Sequence, residues 1–297
     1  MILVLLITGF GITKAGIMSK KTRADITDIV LYIVLPCNIF SSFHKGTTPE
    51  ILRQCIIVII AAFGLQLLYI IINKTAYRKI PNERRVVLQF ATIVNNAAFM
   101  GLPMVGTIFG PTGVLYGSIA LIPVRIFMWT MGLALFTDME LKRRVKVLST
   151  HPCIWAVILG FAYIFVPFEL PVFLAETINV IGACSTALPM FVIGSILSDV
   201  NIRDVLDKDC LYFSLIRLII IPAIVLTVML ALRVDKLVTG VMVLLTAMPS
   251  STTSVMLAEK YGKDSNFSAK TIIVSTILSI VTLPLIAEAL KWLGVGG

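Results

Sequence analysis

The sequence predicts an all-α polytopic membrane protein of ten transmembrane helices. They form two inverted five-helix repeats, with helices four and nine broken and crossing. Three observations lead there. Of 297 residues, 58% are hydrophobic and 14% charged, and the mean hydropathy is +0.98, whereas a soluble chain carries roughly 25% charged residues. The apolar residues gather into ten runs near the ~20 residues that cross a bilayer. Breaks in those runs recur at a near-constant offset between the two halves.

The first run, Met1–Ile17, is short: about 25 Å at ~1.5 Å per residue, against a hydrocarbon core of about 30 Å. It lacks the basic n-region of a signal peptide and reads as an uncleaved span. The others are Ile26–Phe43 (with Pro36), Ile51–Ile72, Val86–Phe109, Gly113–Phe136, Pro152–Val166, Val172–Leu197 (Pro189), Leu211–Leu232 (Pro222), Leu237–Tyr261 (Pro249) and Thr271–Trp292 (Pro284). Each is bounded by charged or turn-forming residues.

Charge sets the expected orientation. Seventeen Lys and Arg fall in alternate loops: Lys20, Lys21 and Arg23, then the Lys74–Arg85 stretch, then Lys142–Lys146, then Arg203 and Lys208, then Lys260, Lys263 and Lys270. The intervening loops hold four, Lys45, Arg53, Arg233 and Lys236. The positive-inside rule places the richer loops in the cytoplasm and both termini outside. The same distribution accounts for the net charge of +9 without a nucleic-acid partner, since no basic stripe with interleaved aromatics occurs. The partner implied is the lipid bilayer.

The stretch Ile93–Phe109, IVNNAAFMGLPMVGTIF, is the most costly one to bury. It sets two amides, Asn95 and Asn96, with Gly101 and Pro103, inside an apolar run. Buried amides need partners that hydrocarbon cannot supply, and proline removes a backbone donor. Such breaks survive in lipid only where they face protein or a water-filled cavity. Span nine carries a second one, AMPSSTTSV, in which Pro249 precedes Ser250, Ser251, Thr252, Thr253 and Ser254. Pro189 follows Pro36 by 153 positions, and Gly262 follows Gly110 by 152. At that offset the two breaks fall in register. The chain therefore divides near His151 into residues 1–150 and 151–297. Five spans per half is an odd number, so the second half inserts upside down, the arrangement in which transporters place a midplane site between discontinuous helices.

Candidate substrate-binding residues are Asn95, Asn96, Gly101, Pro103, Pro249, Ser250, Ser251, Thr252 and Thr253, with Arg125, about mid-span in helix five, as the cation that meets an anion. Arg217 sits nearer the cytoplasmic end of helix eight and reads as snorkelling. No Asp or Glu is placed well inside a span; Asp138, Glu140, Glu259 and Glu288 lie at the ends, which disfavours a carboxylate-based proton antiporter and an intramembrane aspartyl protease. Neither a zinc-protease nor a P-loop motif occurs. His44 and His151 are too isolated for a metal site, and the five scattered cysteines read as small hydrophobes. No cofactor is expected, and coupling to Na+, to H+ or to no ion stays open.

The segments NAAFMGLP at Asn96–Pro103, LAEKYG at Leu257–Gly262 and VLP at Val34–Pro36 resemble the auxin efflux carrier family of bacterial permeases and plant auxin carriers, over nearly the whole chain. The resemblance implies a fold similar to sodium–bile acid symporters and sodium–proton antiporters. Helices 3–5 and 8–10 would form a moving transport domain. Helices 1, 2, 6 and 7 would form a scaffold that also mediates homodimers. It implies alternating-access transport of a small organic anion, such as auxin, malate or malonate, across a bacterial inner membrane. An anion channel and a membrane-embedded sensor are the other readings; short loops disfavour the sensor. Ala98 stands where the family commonly has glycine, SSTT replaces a stretch often carrying alanine and asparagine, and Asn38 follows Pro36 where apolar or small residues are common. These departures lie where specificity would be set.

Overall fold

The computed structural model describes residues 2–42, 49–136, 152–164, 166, 169–198, 207–251 and 253–295. Thr252, both histidines, Lys45, Lys142–Lys146, Arg203, Asp138 and Glu140 lie outside the described residues. Every described element is a helix. Six are long and apolar enough to cross a membrane: Lys20–Ser41, Pro49–Thr75, Ala97–Gly132, Val172–Ser195, Lys208–Ala231 and Ser265–Trp292. Pro152–Tyr163 and Lys236–Thr246 are apolar but shorter.

In chain order, α1 is Ile2–Lys14, α2 is Lys20–Ile29 and α3 is Leu35–Ser42. Next come α4 (Pro49–Thr75), α5 (Asn82–Ile93), α6 (Leu102–Phe127), α7 (Pro152–Ile164) and α8 (Val172–Ser198). The last are α9 (Lys208–Leu215), α10 (Ile221–Ala231), α11 (Lys236–Thr246), α12 (Thr253–Lys260) and α13 (Ser265–Trp292).

Several helices start earlier than hydropathy suggests, α2 and α13 by the widest margin. Ser19 accepts from the Thr22 N–H and caps α2, and Asp264 accepts from the Phe267 N–H and caps α13. Side-chain caps fix helix starts without regard to hydropathy. Lys20, Lys21 and Arg23, expected in a loop, therefore occupy the first turn of α2, and Lys270 the second turn of α13. Asp28 and Glu176 lie inside their apolar runs near the ends, and both are exposed on the helix surface.

The prolines are absorbed in a recurring way. A single π turn precedes Pro36, Pro103 and Pro222. In each case the residue before the proline bonds back five positions: Leu35 to Val30 O, Leu102 to Ala97 O and Ile221 to Ile216 O. The extra residue widens the turn where the ring would otherwise clash. The expected break at 110–112 is a tight turn at Gly110, which takes φ +66°, ψ −161° and divides α6 into two helical halves, in a region essentially reserved for glycine.

Packing sorts the helices. α1 runs along α8, where Gly9 lies against the Phe191 backbone, and α3 packs on both α7 and α8. α4 packs on α6 and α5, with Asn73 and Gln89 exchanging side-chain-to-carbonyl bonds of 3.0 and 3.1 Å. α11 packs on α6 and α10, and α13 on α9 and α12. Contacts between these two sets are lighter. Ile56, Ile60, Leu67 and Ile71 of α4 all face outward, exposed by 58–66%. Such a stripe is a liability in water and the normal condition in lipid. All nine residues of 238–246, by contrast, are buried.

Candidate functional site

Two short helices, α5 and α11, end at the centre of the molecule. α5 stops at Ile93, because Val94 is extended (φ −120°, ψ 103°) and Asn96 is non-helical (φ −82°, ψ 35°). α11 stops at Thr246, and the chain runs through Met248, Pro249 and Ser250 before α12 begins. These two extended segments meet as an antiparallel bridge between Asn95 and Ser250. The Asn96 N–H donates to Pro249 O at 2.8 Å, and Asn95 Nδ2 to Leu245 O at 2.5 Å. Leu245 O is among the last-turn carbonyls that helix geometry leaves without a partner, so Asn95 caps the opposite broken helix. The Ser250 N–H takes its acceptor from Ser275 Oγ of α13 at 3.2 Å.

The two continuing arms start here. The π turn Ala97–Gly101 leading into α6 has no side-chain cap, so the N-cap residue Asn96 claims none of its first N–H groups with its side chain. At α12, Ser251 Oγ accepts from the Thr253 N–H at 3.3 Å, and Ser268 Oγ donates to Ser254 Oγ at 2.8 Å. Gly101 permits the close approach of the arms. A Cβ there would lie 2.8 Å from Leu245 Cδ2 and 3.2 Å from Met248 Cγ.

Most of the expected residues converge. Asn95, Asn96, Gly101, Pro249, Ser250 and Ser251 are at or against the crossing; Thr253 opens α12. One expectation needs correction, that Arg217 snorkels; Pro103 and Arg125 sit as follows. Pro103 is the second residue of α6, not the break: the first-turn proline starts the arm, and the chain departs from helix earlier, at 94–96. Arg125 is buried on α6, next in sequence to Val124, which lines the small cavity beside Asn95. Arg217, expected to snorkel, is fully buried. Its Nε donates to Met248 O at 3.1 Å, its Nη1 to Thr92 O at 3.0 Å, and its guanidinium stacks on Tyr69 at 4.9 Å. Hydropathy alone could not reveal this, because it does not say which face of helix eight turns inward.

The space around the crossing is uneven. Beside Asn95 and Tyr69 there is a cavity of about 20 Å³, room for about one water. A polar cleft of about 360 Å³ opens at the Gly110 bend, between α3, α6 and α8, where Asn38, Thr107, Asn179, Ser185 and Thr186 face it. A groove of about 420 Å³ between α4 and α10 is lined by aliphatic residues such as Ile57, Leu68 and Val228 and offers little to orient a polar molecule.

A membrane transport protein family model matches residues 1–151 and 141–287. The chain belongs to the membrane transport protein family. This is the auxin efflux carrier family that the three motifs resemble, and those motifs fall on structural turning points: VLP after the first π turn, NAAFMGLP on the start of the α6 arm, and LAEKYG closing α12. Relatives extend over almost the whole chain. An uncharacterized transporter of Methanothermobacter thermautotrophicus is 26% identical over 96% of this chain and 94% of its own length. The uncharacterized transporter MJ1031 of Methanocaldococcus jannaschii is 22% identical over 96% and 95%. The uncharacterized transporter YfdV of Escherichia coli K12 is 19% identical over 96% and 94%. The protein is thus a multi-pass membrane protein of a transporter family.

Proposed function

We propose that this protein is a secondary transporter of a small organic anion, a mono- or dicarboxylate, working by alternating access in the cell membrane. The observation that carries this reading is the pairing of two broken helices across Asn95 and Ser250. Half-helix N-termini carry about +0.5 charge each and suit an anion. The arm that starts at Ala97 presents such an end without a capping side chain.

In this reading the chain has ten spans in two inverted repeats, 1–150 and 151–297, with both termini outside. The set α1–α3, α7 and α8 is the scaffold, which also offers the homodimer surface. The set α4–α6 and α9–α13 is the transport domain, moving as a rigid body. Substrate enters by the polar cleft, whose volume suits a small ligand. It is hydrogen-bonded at the crossing by Asn95, Asn96, Ser250, Ser251 and Thr253. The small cavity beside Asn95 corresponds to a closed crossing, so the domain must move before substrate is seated.

A thermal-unfolding screen of carboxylates on purified protein tests the substrate class. A ligand of the folded state stabilises it by about 2.7 kcal/mol at a hundredfold excess over Kd. Malonate, malate or an aromatic acetate is expected to raise Tm saturably, while neutral analogues leave it unchanged. Stabilisation by neutral analogues and not by anions contradicts the reading.

A further inference from the structure

Arg217 is a cation that the crossing itself holds, and what it holds is unusual. It donates to Thr92 O and to Met248 O. Thr92 is in the last turn of α5, where its carbonyl lacks an intrahelical donor, and Met248 O belongs to the unwound segment just past the end of α11. Each C-terminus carries about −0.5 charge. Together they amount to about one negative charge, which the guanidinium offsets. A buried arginine ordinarily needs a carboxylate. Among the described residues Arg217 has none, and its Nη2 is buried with no protein partner. A second layer fixes the Thr92 side: Thr92 Oγ1 donates to Leu88 O at 2.8 Å and lies 2.9 Å from the hydroxyl of Tyr77.

Half-helix C-termini and unwound carbonyls are the groups that coordinate a cotransported Na+ in transporters with broken helices. Here those carbonyls are taken. We propose that the Arg217 guanidinium is the resident cation of the crossing, bonded to the C-terminal carbonyl of one half-helix and to an unwound carbonyl just past the other, in the position a coupling metal ion would need. The inference rests on reading the crossing as the substrate site, and deepens it. With the negative ends neutralised inside the chain, the uncapped positive end is left to the substrate anion, and no Na+ need travel with it. Arg217 is a positioning residue: it acts through Thr92 and Met248 on the segments that carry Asn95 and Ser250.

The test separates charge from simple stapling. Thermal unfolding of detergent-purified protein, and malonate uptake into proteoliposomes, are compared in equal concentrations of sodium chloride and choline chloride for wild type, R217A and R217K. Wild type is expected to give the same Tm and the same uptake in both salts. R217A is expected to unfold about 5 °C or more lower. Millimolar guanidinium restores part of that loss in R217A and has no such effect on wild type. Sodium, but not choline, also stabilises R217A, because the freed carbonyls accept the ion. R217K retains the charge and stays indifferent to the choice of salt.

A saturable rise of wild-type Tm with sodium overturns the proposal. So does a sodium response in R217K, or guanidinium shifting wild type and R217A alike. If R217A does not fold, the wild-type and R217K arms decide the matter. If malonate is taken up in neither salt while the unfolding results stand, it is the transport reading that fails, and the role of Arg217 survives.

Discussion

Asn95→Leu is expected to lose transport by about tenfold or more, with a stability cost of about 1–3 kcal/mol. Leucine keeps asparagine's branching and heavy-atom count and removes its polar groups. What goes is the Nδ2 donor to Leu245 O, the 2.5 Å bond by which one broken helix caps the other. The carbonyl it leaves is buried, and a buried unpaired acceptor carries the full desolvation penalty. The loss in transport exceeds what that stability change alone would cause, because the same side chain lies where the substrate is hydrogen-bonded. Uptake and thermal unfolding on one preparation separate the two effects. Wild-type transport by a folded Asn95→Leu protein would remove Asn95 from the site.

A lock across the polar cleft is expected to have a comparably large effect. Thr107 on α6 and Ala183 on α8 both line it, one on each side of the proposed sliding boundary. In a background where Cys37 and Cys184 are replaced, cysteines at 107 and 183 joined by a short reducible cross-linker should hold the two domains together. Transport should fall about tenfold or more and return on reduction, since the domain movement that such transporters use is blocked. Full activity while cross-linked would mean that α6 does not move past α8 during the cycle.

Much of the architecture is legible in the sequence, and its failures are instructive. The amides Asn95 and Asn96 mark the first break because their burial in an apolar run has few physical solutions, and the hydroxyl run after Pro249 marks the second. Proline was a poorer guide to where the chain departs from helix. Pro103 starts an arm, and Pro36, Pro103 and Pro222 are all taken up by π turns, which depend on local backbone register and leave no compositional trace. Helix starts at Ser19 and Asp264 follow capping geometry rather than hydropathy. Arg125 and Arg217 look alike in sequence, each a lone cation in an apolar helix. Only the rotation of its helix about the axis tells that Arg217 meets the crossing.

The central claim is that a carboxylate crosses by alternating access at the Asn95–Ser250 crossing, and counterflow in proteoliposomes tests it most directly. Vesicles are loaded with unlabelled malonate and diluted into a trace of labelled malonate. Wild type should accumulate label transiently above equilibrium, with saturable dependence on substrate, and Asn95→Leu should not. Flux that neither saturates nor shows counterflow would identify a channel. Binding of malonate without any flux would identify a sensor. Either result would contradict the account.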